Sequence, residues 1–169
     1  MEETGIKRLW APWRMRYIDG SHKDEGCIFC TKPKENNDRE NLIVYRGKKA
    51  FIIMNLFPYT NGHLMITPYK HTGVLEELDD EELLDIMHLA QKTIKALKIC
   101  MPPEGFNMGF NIGRPAGAGI VDHIHLHIVP RWIGDTNFMP LLSETKVISE
   151  HIFDTYDKIR KGFEELEEK

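Results

Sequence analysis

No stretch of this sequence stays apolar for anything near the ~20 residues that a membrane-crossing helix requires, so no membrane span is expected. Cysteine is scarce and odd in number, with only Cys27, Cys30 and Cys100. That argues against a disulfide framework and, for the C-x-x-C pair Cys27 and Cys30, for a metal or redox role. An excess of positive charge is missing too. At a formal net charge of −4, counterion-driven binding to nucleic acid is not the expected activity. Charged residues interrupt Met1 to Arg16, which leaves no secretory apolar core, and the cytoplasm is the expected location. Internal repeats and linkers are absent as well. The 169 residues, 41% hydrophobic and 28% charged, fit one globular domain, 1–169, long enough to bury a core without covalent staples.

What is present is a succession of short β-patterned runs and two helical ones. Residues 1–26 form an aromatic and basic arm, in which Leu9 to Ile18 shows no clean period. The arm can pack over the domain, against a partner subunit, or on a nucleotide. Leu42 to Arg46 and Lys49 to Asn55 read as strands about a turn at Gly47, and Gly62 to Tyr69 alternates, with His63, Met65 and Thr67 on one face. For the long helix that follows, Asp79 is the expected cap, Glu82 completes a capping-box pattern, and Pro102-Pro103 forces the end. Leu83, Met87, Ala90, Ile94 and Leu97 supply its apolar stripe. Cys100, near its end, reads as a small core residue. Phe106 to Ile112 reads as a fourth strand, and Gly113 to Gly119 is a loop of small residues around Arg114. In the last segment, 146–169, Ile148, Ile152, Tyr156, Ile159, Phe163 and Leu166 recur at helical spacing, and the acidic end from Glu164 to Glu168 reads as solvated. Short connections favour antiparallel pairing. The expected fold is α+β, a roughly five-stranded antiparallel sheet with a long central helix and a C-terminal helix.

The fifth strand carries the chemistry. In Asp122-His123-Ile124-His125-Leu126-His127-Ile128-Val129, strict alternation puts three imidazoles on one face and Ile124, Leu126 and Ile128 behind them in a core. Two kinds of site can form there. Cys27 and Cys30 have a spacing common in zinc sites, and His71 with one histidine of the row can close a tetrahedral set. The alternative is a pair of packed or redox-active thiols. The Gly113–Gly119 loop lets backbone amides approach an anion, with Arg114 adding charge, and a neutral imidazole is a competent nucleophile towards phosphorus.

The run His123-Ile124-His125-Leu126-His127-Ile128-Val129 resembles the motif of the histidine-triad (HIT) superfamily of nucleotide hydrolases and transferases. Asn55, Asn61-Gly62-His63-Leu64 and Lys70-His71 are similar to its upstream block. The arm Leu9–Ile18, the run Ala116-Gly117-Ala118-Gly119-Ile120 and the segment Pro130–Pro140 are similar to its bacterial branch of diadenosine tetraphosphate phosphorylases. The resemblance implies a HIT-like fold, a nucleotide substrate such as an adenine dinucleoside polyphosphate, and a homodimer. It also implies roles. His125 attacks the α-phosphorus and His127 helps to bind the phosphate oxygens, with His63 as a supporting polar group. Asn55 binds the ribose hydroxyls and Ile53 lines the base pocket. Backbone amides around Gly117, Ala118 and Gly119, beside Arg114, hold phosphate. In zinc-bearing relatives the metal ligands fall on Cys27, Cys30, His71 and His123, a structural site. Many members carry a Ser, Thr or Gln shortly before the triad, whereas this chain has Ala118-Gly119-Ile120-Val121, leaving main-chain donors to serve. Phosphorolysis is the leading reading. Simple hydrolysis to AMP, of dinucleoside polyphosphates or of adenylated and phosphoramidate substrates, is one alternative. A catalytic zinc held by all three triad histidines and a non-enzymatic nucleotide sensor are two others.

Overall fold

The computed structural model describes residues 26–135 and 148–168. The N-terminal arm, residues 136–147 and Lys169 lie outside the described residues, so the expectations for Leu9–Ile18 and for most of Pro130–Pro140 concern segments not described.

After a single helical turn, α1 (Ile28–Thr31), the chain forms β1 (Ile43–Arg46), β2 (Ala50–Met54) and β3 (Leu64–Pro68). The long helix α2 (Asp80–Cys100) follows, then β4 (Gly105–Phe110), β5 (Leu126–Arg131) and α3 (Ile152–Glu167). The five strands form one sheet in the order β1-β2-β3-β5-β4, and every adjacent pair is antiparallel. Helix α2 lies against β2, β3 and β5, while α3 packs on α2 and β1. The expected α+β architecture is therefore the observed one.

Directly opposed residues in a sheet share a face, so the register yields two kinds of row. Met54, Leu64, Ile128 and Met108 form one, and Ile52, Ile66, Leu126 and Phe110 the next. On the other face Ile53, Met65, His127 and Gly109 stand in line. The β1–β2 turn needs its glycine because a Cβ on Gly47 would lie 2.8 Å from the Ala50 carbonyl oxygen and 2.9 Å from the Asp85 carboxylate. That carboxylate accepts hydrogen bonds from the Lys49 and Ala50 amides and fastens the turn to α2.

The start of α2 is as the sequence indicates. The Asp79 side chain accepts from the Glu82 amide and the Glu82 side chain from the Asp79 amide, a reciprocal cap whose loss costs about 1 kcal/mol. Its buried face shares Ala90 and Leu97 with the expected stripe and otherwise differs from it. Ile86, Leu89, Ala90, Thr93, Ala96 and Leu97 face inward, while Leu83 and Met87 are 37% and 50% exposed. The expected stripe was out of phase by one residue over much of its length, missing Ile86, Leu89 and Thr93, and Ala96, next to Gly162 of α3, joins Leu97 in the seam. The C-terminal helix also starts later than residue 146. The His151 imidazole accepts from the Phe153 amide to cap it. Glu150 is held back by Asn61, Thr155 and Lys158, so Ile148 belongs to an irregular lead-in that lines a small cavity beside Asn55.

Candidate functional site

β5 itself begins at Leu126, so His123 and His125 precede the strand they were expected to lie on. The lead-in is fixed by β3 and the loop after it. The Ile124 amide donates to the Thr72 carbonyl at 2.7 Å, and Thr67 Oγ1 donates to the Ile124 carbonyl at 3.1 Å. Gly73 passes so close that a Cβ there would sit 2.2 Å from the Val121 carbonyl oxygen. Ile124, Leu126 and Ile128 do enter the core. The three imidazoles are buried, at 0%, 5% and 8% exposure for His123, His125 and His127, and each makes different contacts.

His123 turns away from the other two. Its Nε2–H donates to the Pro68 carbonyl at 2.8 Å, which leaves Nδ1 as a bare lone pair. That Nδ1 lies 3.2 Å from Cys27 Sγ, 3.5 Å from Cys30 Sγ and 3.3 Å from His71 Nδ1, and Cys30 Sγ is 3.4 Å from His71 Nδ1. Bonds of about 2.0–2.3 Å in a tetrahedral site separate N and S donors by roughly 3.3–3.8 Å. All four donor atoms lie within 4.8 Å of one another, so the set fits zinc. Among the described residues no cluster brings more than one triad histidine to such a centre, which argues against a zinc held by all three.

His125 donates its Nδ1–H to the His123 carbonyl at 2.9 Å. A carbonyl can only accept, so the proton is on Nδ1 and the lone pair is on Nε2. Burial lowers its pKa, which keeps the ring neutral and nucleophilic near pH 7. The Phe29 ring, 1% exposed between the two thiols, touches both His125 and His123, with centroids 5.1 and 5.3 Å away.

For His127, a relay sets the tautomer. The Tyr59 amide donates to His63 Nδ1 at 3.0 Å, so neutral His63 bears its proton on Nε2 and donates it to His127 Nδ1 at 2.9 Å. His127 is left with an Nε2–H. Asn111 Nδ2, itself a donor, stands 3.4 Å from that nitrogen, so the Asn111 amide has to turn its Oδ1 inward to accept the proton. The site therefore places a bare imidazole nitrogen beside a ring that presents a hydrogen-bond donor. This pairing suits attack on an electrophile carrying oxygen atoms.

Of the other expected site residues, Asn55 accepts from the Phe57 amide at 2.9 Å and reaches His63 Nδ1 at 3.3 Å. Ile53 is in the same sheet row as His127 with Met65 between them, and it is 2% exposed. Arg114 lies in a 3-10 turn that ends at Gly117, with φ 90°, and an added Cβ on Gly117 would sit 3.9 Å from Asn111 Nδ2. The small-residue loop thus reaches the triad through Asn111. Sequence reasoning missed Asn111, Tyr59 and Phe29. Only the last carried a signal, its place inside the C-x-x-C.

The lead-in and the first residues of β5 bring a metal-type ligand set, a bare imidazole nitrogen and an imidazole N–H together, the arrangement of the histidine-triad class. A model of the HIT domain matches residues 36–132. The chain is 39% identical over 157 residues to a Mycobacterium tuberculosis protein named AP-4-A phosphorylase, covering 89% of this chain and 80% of that protein. It is 35% identical over 105 residues to adenosine 5′-monophosphoramidase hnt1 of Schizosaccharomyces pombe, covering 62% and 74%. In structure it is similar to a zinc-bound histidine triad family protein from Mycobacterium smegmatis, with a TM-score of 0.69 and 25% identity over 85% of this chain and 97% of that one. The chain belongs to the HIT family and is an enzyme. Among the described residues, no helix is long and apolar enough to cross a membrane.

The buried triad has a consequence for stability. Burial first, and then the neighbouring His125, lowers the His127 pKa from 6.5 to about 4. The unfolded chain takes up this proton near 6.5 and the folded chain only near 4. The ring's contribution is therefore complete above pH 6.5 and is lost as the pH falls towards 4. With allowance for solvent at the open side of the ring, wild type should lose about 1–2 kcal/mol more than His127→Gln between pH 7.5 and 5. Urea unfolding of both proteins at the two pH values measures this, and equal losses would refute it.

Proposed function

We propose that this histidine-triad enzyme cleaves dinucleoside polyphosphates, with diadenosine tetraphosphate as the type substrate, by phosphorolysis through a nucleotidyl-His125 intermediate. The observation that carries the reading is the tautomer of His125, whose tie to the His123 carbonyl frees Nε2 for attack. The lone pair of Nε2 forms a bond to the α-phosphorus. The P–O bond to the rest of the chain breaks, and ATP leaves with the electron pair. The His127 Nε2–H donates to a phosphate oxygen as charge builds there. Asn55 takes the ribose hydroxyls and Ile53 lines the base pocket. Arg114 with the amides of Gly117, Ala118 and Gly119 holds the phosphates. An oxygen of inorganic phosphate then attacks AMP-His125, releasing ADP and restoring the imidazole.

The second acceptor distinguishes a phosphorylase from a hydrolase. Phosphate must outcompete water at ~55 M by being oriented. The likeness to the AP-4-A phosphorylase over 89% of this chain favours phosphate. Product analysis with and without inorganic phosphate tests it. ATP plus ADP should appear only with phosphate. ATP plus AMP at a rate independent of phosphate would make the enzyme a hydrolase.

The remaining parts of the reading are structural. Zinc on Cys27, Cys30, His71 and His123 supplies a fixed crosslink between the α1 loop, the loop after β3 and the triad. The edge of β4, unpaired among the described residues, and the exposed Leu83, Leu84 and Met87 suit a homodimer, which equilibrium sedimentation would detect.

A further inference from the structure

The sheet row that contains His127 ends at Gly109, directly across from it on the edge strand β4. A glycine weakens a strand and commonly marks a place where something else must come close. Nothing among the described residues requires this one. Its φ is not positive, and a Cβ built on it meets no heavy atom within 4 Å. What the missing side chain leaves is room. A cleft of about 370 Å³ opens there, bounded by Tyr59, Thr60, Asn111, His127 and Arg131, a size within the range of small-ligand sites.

This cleft is not the hollow beside Asn55, which is bordered by Asn61, His63 and Ile148. The hydrogen-bonded pair His63 and His127 takes part in both, one ring to each. A substrate with a nucleoside at each end of a polyphosphate, cut at one α-phosphorus over His125, has to place its two ends apart, and of these two hollows only the Gly109 cleft, at about 370 Å³ against about 20 Å³, has room for a nucleoside. We propose that the Gly109 cleft holds the leaving nucleotide, with its purine stacked on the Tyr59 ring. The inference rests on the dinucleoside reading above and adds where the second half of the substrate goes.

Tyr59 is suited to this. Its ring is 45% exposed and is stacked on His127 at 22°, with centroids 5.8 Å apart. Thr60 Oγ1 donates to the Pro130 carbonyl at 2.8 Å, which anchors the loop that carries Tyr59. At the far wall, Arg131 is paired with Asp135 and donates to Asn107, so its charge is already compensated. Recognition in this cleft therefore comes from stacking more than from charge.

The test compares two substrates attacked at the same phosphorus, diadenosine tetraphosphate and adenosine 5′-phosphoramidate, of which only the first has a second nucleoside. The readout is the ratio of their kcat/KM values. Gly109→Val fills the cleft from its floor and should lower the ratio tenfold or more, with Gly109→Ala intermediate. Tyr59→Leu should lower it about tenfold, the scale of one lost base stack, and Tyr59→Phe should keep the wild-type ratio. Melting curves establish that each variant is folded, and if Gly109→Val is not, Gly109→Ala and the Tyr59 pair carry the test. An unchanged ratio in the Gly109 and Tyr59→Leu variants overturns the inference. So does a loss in Tyr59→Phe equal to that in Tyr59→Leu, since that would implicate the hydroxyl and not the ring. Wild type inert towards diadenosine tetraphosphate but active on the phosphoramidate would instead refute the underlying dinucleoside reading, and is distinguishable on that ground.

Discussion

His125→Gly should reduce turnover by on the order of 10⁴-fold or more, because it removes the nucleophile of the proposed covalent mechanism. Nucleotide affinity should change little, since ribose, base and phosphate contacts are assigned to other residues. Stability should fall only modestly. The lost ring is buried at 5% exposure and packs on Phe29 and His127, so a melting-temperature drop of a few degrees is expected. Single-turnover kinetics with a labelled substrate should trap AMP on wild-type protein and nothing on the variant. Two successive displacements at phosphorus also require net retention of configuration with a chiral thiophosphate substrate. Near wild-type turnover in His125→Gly, or inversion at phosphorus, would sink the covalent mechanism.

The alternation of His123, His125 and His127 was enough to single out the candidate site because period 2 exposes a row of one residue type directly in the text. The same alternation misled on geometry. It implies a flat row on one strand, whereas His123 and His125 lie ahead of β5, and His123 faces the thiols. What separates them is the pinning of Ile124 by Thr67 and Thr72. That contact spans more than fifty residues and leaves no periodic trace. The α2 seam and the start of α3 were misplaced for a related reason. Periodicity does not fix the phase of the stripe, and the seam runs through Ile86, Leu89, Thr93 and Ala96 in place of Leu83, Met87 and Ile94, while Glu150 and His151 end the irregular lead-in through side-chain bonds. Tyr59 and Asn111 were illegible because the first acts partly through its amide and the second through its position at the end of β4. Neither carries a residue-type signature.

Removing the proposed zinc should destabilise the protein without stopping the chemistry outright. The four donors come from the α1 loop, the loop after β3 and the triad lead-in, segments that are remote in sequence and are not brought together in the unfolded chain. A ligand that binds only the folded state at a thousandfold above its Kd adds about 4 kcal/mol. For a chain of this length that corresponds to a melting temperature higher by about 10 °C. Elemental analysis should find one zinc per chain, and Cys27→Ser or a strong chelator should lower the melting temperature by that amount. Activity should fall part of the way, because the turn that presents Cys27 and Cys30 also presses Phe29 against His125. Loosening that turn disorders the proposed nucleophile but does not remove it. Turnover lost at once on chelation, in a protein whose melting curve had not moved, would assign the metal to the chemistry and overturn the structural reading.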